Sequence, residues 1–149
     1  MTTRAEAPTA RATSRPRAEL VSRAIVVLGL VADTVVHLML APVMQVAAPG
    51  GVGGGTLFRA QAVVAAVVAL LLLVTGRRWA YALALLAALS ALGPVLLYHF
   101  VDVPPIGPVP RMHDPFWSPE KVVSVAGEAL AAIFAVVGLR QTGRGPGTN

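Results

Sequence analysis

Residues 24–41 read AIVVLGLVADTVVHLMLA, and this stretch limits the kind of structure that the chain can form. Apolar residues fill it too continuously for the alternating face of a sheet or the narrow stripe of a soluble helix. With the residues just before it, the run reaches the roughly 20 residues that a helix needs to cross about 30 Å of hydrocarbon. It predicts a membrane helix at 20–41, ended by Pro42, that carries two ionisable side chains, Asp33 and His37.

The composition of the whole chain is also typical of a membrane protein. Of its 149 residues, 56% are hydrophobic and 13% are charged, and the mean hydropathy is +0.72. Soluble domains carry roughly 25% charged residues. The chain contains no cysteine, which excludes disulfides, thiolate metal sites and dithiol redox chemistry.

Three further apolar segments predict membrane helices at 57–75, 78–100 and 119–140. The short segment TGRRWA joins the second and third helices, which makes them antiparallel neighbours. The fourth begins with a helix-start pattern, in which Ser118 caps the helix and Pro119 takes its first position. The predicted fold is therefore all-α, a bundle of four transmembrane helices.

The distribution of basic residues predicts the orientation of this bundle. Nine of the twelve lysine and arginine residues lie near the two termini or between the second and third helices. Because basic flanks favour the cytoplasm, we expect both termini to be cytoplasmic in a multi-pass protein of the cell membrane, the inner membrane of a bacterium. The chain then divides into a disordered basic tail at 1–19, a transmembrane domain at 20–140 and a second cytoplasmic tail at 141–149.

The basic residues that predict the orientation also account for the net charge of +5 and the pI near 11.1. The basic tail has no accompanying nucleic-acid-binding fold or aromatic platform, so the lipid bilayer, and not nucleic acid, is the expected partner. The first helix also has features of a secretory signal peptide. Because Asp33 and His37 interrupt its apolar core, and because the run is too long, an uncleaved anchor is expected.

Several polar residues fall in the outer half of the predicted bundle. With a rise of about 1.5 Å per residue, His37 lies roughly 6 Å and Asp33 roughly 12 Å below the outer end of the first helix. Glu128 lies near the midplane on the fourth helix. A charge at the centre of a lone helix costs about 2.5–3.5 kcal/mol, so these side chains should face a shared interior. The predicted pocket consists of Asp33, His37, Arg59, Gln61, His99 and Glu128.

The simplest ion pair in this pocket joins Asp33 to Arg59, with Glu128 sharing that cation or remaining protonated. Two interpretations stay open. The polar residues hold the helices in register through hydrogen bonds worth about 1 kcal/mol each, or they mark the site of a ligand or an ion.

The segment 101–118 connects the third and fourth helices on the outer side and is rich in proline, so it is predicted to be stiff and non-helical. Its charged cluster Arg111, His113 and Asp114 suggests a lid over the mouth of the bundle. Lys121, next to it, is expected at the surface. On the inner side, Trp79 and Tyr81 are expected at the membrane interface.

A metal site is a further hypothesis. Asp33, His37, His99 and His113 offer imidazole and carboxylate ligands on the outer side, which could suit a copper or zinc ion. No compact ligand spacing supports it, so whether a metal binds stays open.

The stretches LFRAQAVVA, LLYHFVDV, GPVPRMHDPFWSPEK and GEALA resemble a group of small four-helix membrane proteins of high-GC actinobacteria. This likeness brings no activity with it. The helical plan is also similar to that of DoxX-like membrane proteins, and this second resemblance implies a four-helix bundle associated with quinone or redox partners.

Three functions are compatible with these features. The leading hypothesis is a non-enzymatic membrane protein whose outward-facing pocket binds a small lipophilic or ionic ligand. The first alternative is an accessory subunit of a quinone-linked redox or transport complex, with membrane-protein partners or further copies of the chain. The second is a lipid-modifying enzyme at the outer leaflet, in which His37 is a base oriented by Asp33.

Overall fold

The structure, a computed structural model, describes residues 14–143 and is helical apart from three connections. The helices are α1 (Ser14–Ala47), α2 (Gly54–Thr75), α3 (Arg78–Phe100) and α4 (Pro119–Gly143). No strand occurs within these described residues, so the predicted all-α class is confirmed. All four helices are long and apolar enough to cross a membrane.

Helix α1 is longer than predicted at both ends. The prediction that Pro42 ends it is wrong, since the helix continues to Ala47. A proline removes only its own backbone donor, here the one that would bond the carbonyl of Leu38, and membrane helices tolerate such a loss. The helix stops where the glycine-rich segment 50–55 begins, because glycine favours the backbone conformations of a turn.

The predicted tails overlap the helices at their inner edges. Residues 14–19 belong to α1 and residues 141–143 to α4, whereas residues 1–13 and 144–149 lie outside the described part. The start of α4 agrees with the prediction: Pro119 is its first residue, and the Ser118 hydroxyl accepts a hydrogen bond from the Lys121 amide at 3.2 Å.

The helices are arranged so that α1 packs on both α2 and α4, while α3 packs on α4 and α2 from the other side. Helices α1 and α3 lie diagonally and barely touch. The connection between α2 and α3 is as short as predicted. Gly76 ends α2 in the left-handed conformation, at φ 55°, and donates its amide to the Leu72 carbonyl at 3.0 Å.

Small residues form most of the core. Ala65, Ala84, Ala88 and Ala135 are fully buried between the helices together with larger residues such as Leu30. Small side chains let helix backbones approach closely, which strengthens van der Waals packing where water supplies no hydrophobic drive. At the contact of α1 with α4, a side chain at Gly29 would collide with the backbone of Gly127.

Large apolar side chains cover the outside of the bundle. Each helix contributes examples whose surface is more than half exposed: Leu28, Leu70, Leu86 and Ile133. Exposure of so much apolar surface to water is unfavourable, whereas contact with lipid tails is not. The architecture is therefore that of a multi-pass membrane protein.

Tyr81 does not lie at the membrane interface as predicted. It is fully buried, and its hydroxyl donates to Glu19 Oε1 at 2.8 Å. Arg23 Nη2 lies 2.7 Å from the other oxygen of the same carboxylate. These three residues tie α1 to α3 at the end of the bundle opposite the segment 101–118, while Trp79 is 45% exposed.

Candidate functional site

Asp33 is the most deeply enclosed polar residue of the site. Its surface is 0% exposed, in the middle of the long apolar run of α1. Gln61 of α2 donates from Nε2 to Asp33 Oδ2 at 3.0 Å and to the Ala87 carbonyl of α3 at 3.1 Å. Asp33 is therefore linked through one amide to two neighbouring helices.

His37 lies one turn further along α1, on the same face as Asp33. Its Nδ1 is 2.5 Å from Asp33 Oδ1 and 3.0 Å from the Asp33 carbonyl oxygen. The His37 ring also packs against Phe58 of α2, with 4.8 Å between the ring centroids. These contacts fix the orientation of the imidazole.

Glu128 brings a second carboxylate to the same place from α4. It is 1% exposed, and Ser124 donates to its Oε1 at 2.5 Å. Its Oε2 has no hydrogen-bond partner among the described residues. Asp33, His37 and Glu128 each place one possible metal-ligand atom within 4.8 Å of the others. We call these three residues the triad.

A cavity of about 470 Å³ extends from the triad to the segment 101–118. His37, Gln61 and Glu128 of the predicted pocket line it, whereas Asp33 lies behind them. Most of the wall is apolar. Three serines also line the cavity: Ser90, Ser118 and Ser124. The apolar wall includes residues from three helices: Leu40, Met44, Phe58, Val64, Pro94 and Val95.

The segment 101–118 folds over the cavity as a short hairpin-like lid. Val103 and Met112 exchange backbone hydrogen bonds at 3.1 and 3.2 Å, as do Ile106 and Val109 at 3.0 and 3.1 Å. Gly107 turns the chain at φ 55°. The predicted lid residues all line the cavity: Arg111, His113 and Asp114.

Lys121 is buried beneath the lid and not at the surface as predicted. It is 5% exposed, and its Nζ lies 3.0 Å from Asp114 Oδ2, 2.5 Å from the Asp114 carbonyl and 3.2 Å from the Phe116 carbonyl. The ammonium also lies 5.5 Å from the centroid of the Trp117 ring. One cation thus anchors the lid to α4 because the proline-rich chain presents several oxygens to it.

A second ion pair joins Arg111 to Asp102, and both side chains are exposed. The hydrogen bond from Arg111 holds the pKa of Asp102 below its usual range and raises the pKa of Arg111. The pair therefore contributes at neutral pH and is lost only as the pH falls through the lowered pKa of Asp102. Solvent screening makes this contribution small.

The predicted pairing of Asp33 with Arg59 is wrong. Arg59 lies exposed on α2 and does not line the cavity. Arg59 and Gln61 are two positions apart, which is about 200° around a helix, so only one of them can face the interior. Gln61 faces the interior and binds Asp33 through its neutral side-chain amide.

His99 lies beside the cavity and does not line it. Its ring packs on Trp117 at 4.4 Å between centroids, and its Nδ1 is 3.5 Å from Lys121 Nζ. His113 lines the mouth of the cavity. Of the residues in the metal hypothesis, only Asp33 and His37 come together in a potential ligand cluster of the described chain, joined by Glu128 and not by the other histidines.

Three residues of the site escaped prediction: Lys121, Ser90 and Ser124. The serines lie on helices α3 and α4, where a hydroxyl often bonds only to its own helix, and so they carry no signal by themselves. The spacing from Ser124 to Glu128 is a usable signal, because residues four apart share a helical face. Lys121 gave no such signal, since its partners lie on the lid.

Comparisons of the chain with protein-family models, with curated proteins and with solved structures gave no match. The resemblance to DoxX-like membrane proteins stays a prediction.

The contact between Asp33 and Gln61 leads to a prediction for unfolding in mixed detergent micelles. Asp33→Ala and Gln61→Ala each leave a buried polar partner unsatisfied, so the double variant should lose less stability than the sum of the two, by about 1 kcal/mol. Asp33→Ala combined with Arg59→Ala should be additive. Additivity in the first pair, or coupling in the second, would contradict the geometry described above.

A second prediction concerns the anchoring of the lid. Lys121→Met should release the segment 101–118, because it leaves Asp114 without its buried cation, and amide hydrogen exchange there should become faster. Arg111→Met removes an exposed cation of the same segment and should change the exchange less. Equal exchange in the two variants would show that Lys121 does not hold the lid.

Proposed function

We propose that the chain is a multi-pass protein of a bacterial inner membrane that binds a small lipophilic molecule with a polar head group. The observation that carries this proposal is the cavity: about 470 Å³ of space inside the bundle, with apolar walls and hydrogen-bonding groups at its deep end. Sites for small molecules commonly have volumes of about 300–1,000 Å³ and the same division between apolar wall and a few polar groups.

The deep end offers a head group both donors and acceptors. Glu128 Oε2 has no partner within the described chain, and the His37 ring borders the same space. Ser90 can donate to a ligand or to Gln61 Oε1, from which it is 3.1 Å away. A carbonyl or hydroxyl group of a ligand would find partners here that lipid tails do not provide.

The exposed side chains of the cavity wall suggest how such a ligand enters. Ala60 and Val64 of α2 and Ser90 and Pro94 of α3 line the cavity and are exposed, whereas the lining residues of α4 are buried. This arrangement favours an opening between α2 and α3, on a surface that lipid covers. A ligand dissolved in the bilayer would reach the site without crossing water.

The proposed orientation follows from the basic residues and puts both termini in the cytoplasm. The lid, with the cavity beneath it, then lies on the outer side of the membrane. Arg77, Arg78 and Arg140 flank the opposite end of the bundle, where basic residues favour the cytoplasm.

One observation favours a second candidate, an enzyme that modifies a lipid at the outer leaflet. His37 Nδ1 lies 2.5 Å from Asp33 Oδ1, and a carboxylate in this position orients an imidazole that serves as a general base. The hypothesis of an accessory redox or transport subunit stays a prediction.

Filling the cavity tests the binding proposal. Val95→Trp adds a large ring to a residue of the cavity wall, and the protein purified in mild detergent should lose its bound small molecule in native mass spectrometry. Leu97→Trp on the outer face of the same helix, at a position 48% exposed, is the matched control and should keep it. No bound molecule in the unaltered protein, or equal occupancy in both variants, would contradict the proposal.

A further inference from the structure

We propose that the triad of Asp33, His37 and Glu128 binds one divalent transition-metal ion such as Zn²⁺. This proposal goes beyond the proposed ligand function, although His37 and Glu128 also border the space proposed for the ligand's head group. The ion would lie at the deep end of the cavity, whereas the apolar wall would hold the rest of the ligand, so a variant that fills the apolar part tests the two proposals separately.

The first argument is the distance between the donors. One ligand atom from each residue of the triad lies within 4.8 Å of the other two. Three donors bonded at about 2.1 Å to one ion in tetrahedral or trigonal geometry lie roughly 3.4–3.6 Å from one another. The donors come into range when the side chains together close a separation of about 1 Å, which small torsional adjustments of the three side chains can supply.

The second argument is charge. Two carboxylates are buried side by side inside a membrane-spanning bundle, where an uncompensated charge is expensive. Among the described residues, no lysine or arginine side chain forms an ion pair with Asp33 or Glu128. Arg59 is exposed, Lys121 is occupied by the lid, and Arg23 pairs with Glu19 at the other end of the bundle. A divalent cation neutralises both carboxylates at once.

The third argument comes from the way the two carboxylates are held. Gln61 holds Asp33 Oδ2, and Ser124 holds Glu128 Oε1. Glu128 Oε2 is left without a hydrogen bond, although its residue is 1% exposed. Metal ligands in proteins are typically fixed in this way, with one atom held by a neighbouring side chain and another left for the ion.

The donor set selects the class of metal. Mg²⁺ and Ca²⁺ prefer oxygen donors alone, and Cu⁺ prefers sulfur, whereas one imidazole with two carboxylates suits Zn²⁺ and similar ions. His37 and Glu128 also border the cavity. An ion held by three protein donors there would keep a coordination position directed at the open space.

The test is metal binding by the full chain purified in detergent, freed of metal with a chelator and then dialysed against Zn²⁺ or Mg²⁺. Plasma mass spectrometry should find one Zn²⁺ per chain and no comparable Mg²⁺. His37→Gln, Asp33→Asn and Glu128→Gln should each weaken Zn²⁺ affinity at least tenfold. Matched substitutions outside the triad should leave it unchanged: His113→Gln, Asp102→Asn and Glu120→Gln.

The design separates loss of a ligand from loss of the fold. Glu128→Gln replaces the carboxyl group with an amide of almost the same shape, and circular dichroism of the same samples reports the helix content. Val95→Trp, which blocks the proposed ligand, should still bind Zn²⁺. No stoichiometric Zn²⁺ in the unaltered protein, or unchanged affinity in folded Glu128→Gln, would overturn the proposal; equal binding by all six variants would mean adventitious surface binding.

Discussion

The burial of two carboxylates inside an apolar bundle is the constraint on which the rest of this structure depends. Asp33 and Glu128 are almost completely shielded, on helices α1 and α4 that pack against each other. A carboxylate that faces lipid would be costly, so these residues fix which face of each helix is turned inward. The contacts of His37, Gln61 and Ser124 then follow from that choice.

The bundle is packed differently along its length. Towards the connection of α2 and α3, alanines and the buried Tyr81 fill the interior. Towards the lid, the helices leave about 470 Å³ of space and the polar groups collect at its deep end. The closed half supplies rigidity to the open half, since side chains held by tight packing keep their positions.

Much of this arrangement could be predicted from the sequence because lipid imposes simple rules. Apolar runs of sufficient length predicted the four helices, and the cost of burying charge predicted that Asp33, His37 and Glu128 share an interior. The predictions failed where a local feature competes with tertiary packing. Pro42 was expected to end a helix that tolerates it, and Arg59 was placed inside because its charge suited Asp33, although the helical period gives that place to Gln61.

The remaining errors concern residues whose partners are distant in the chain. Lys121 follows a helix start, which is typical of a surface position, yet the lid covers it and supplies its oxygen partners. Tyr81 was assigned to the membrane interface because tyrosine is common there. Its hydroxyl instead donates a hydrogen bond to Glu19, 62 positions away in the chain. No local pattern in the sequence identifies such a contact.

The most direct test of the central claim, that the buried acids lie within a bundle of four membrane crossings, is thiol labelling of single-cysteine variants in intact cells. The chain contains no cysteine of its own, so Val52→Cys, Ile106→Cys and Arg77→Cys each report one connection. A membrane-impermeant maleimide should label positions 52 and 106 in intact cells and position 77 only after permeabilisation. Labelling of 52 and 106 on opposite sides, or of 77 together with them, would contradict the account.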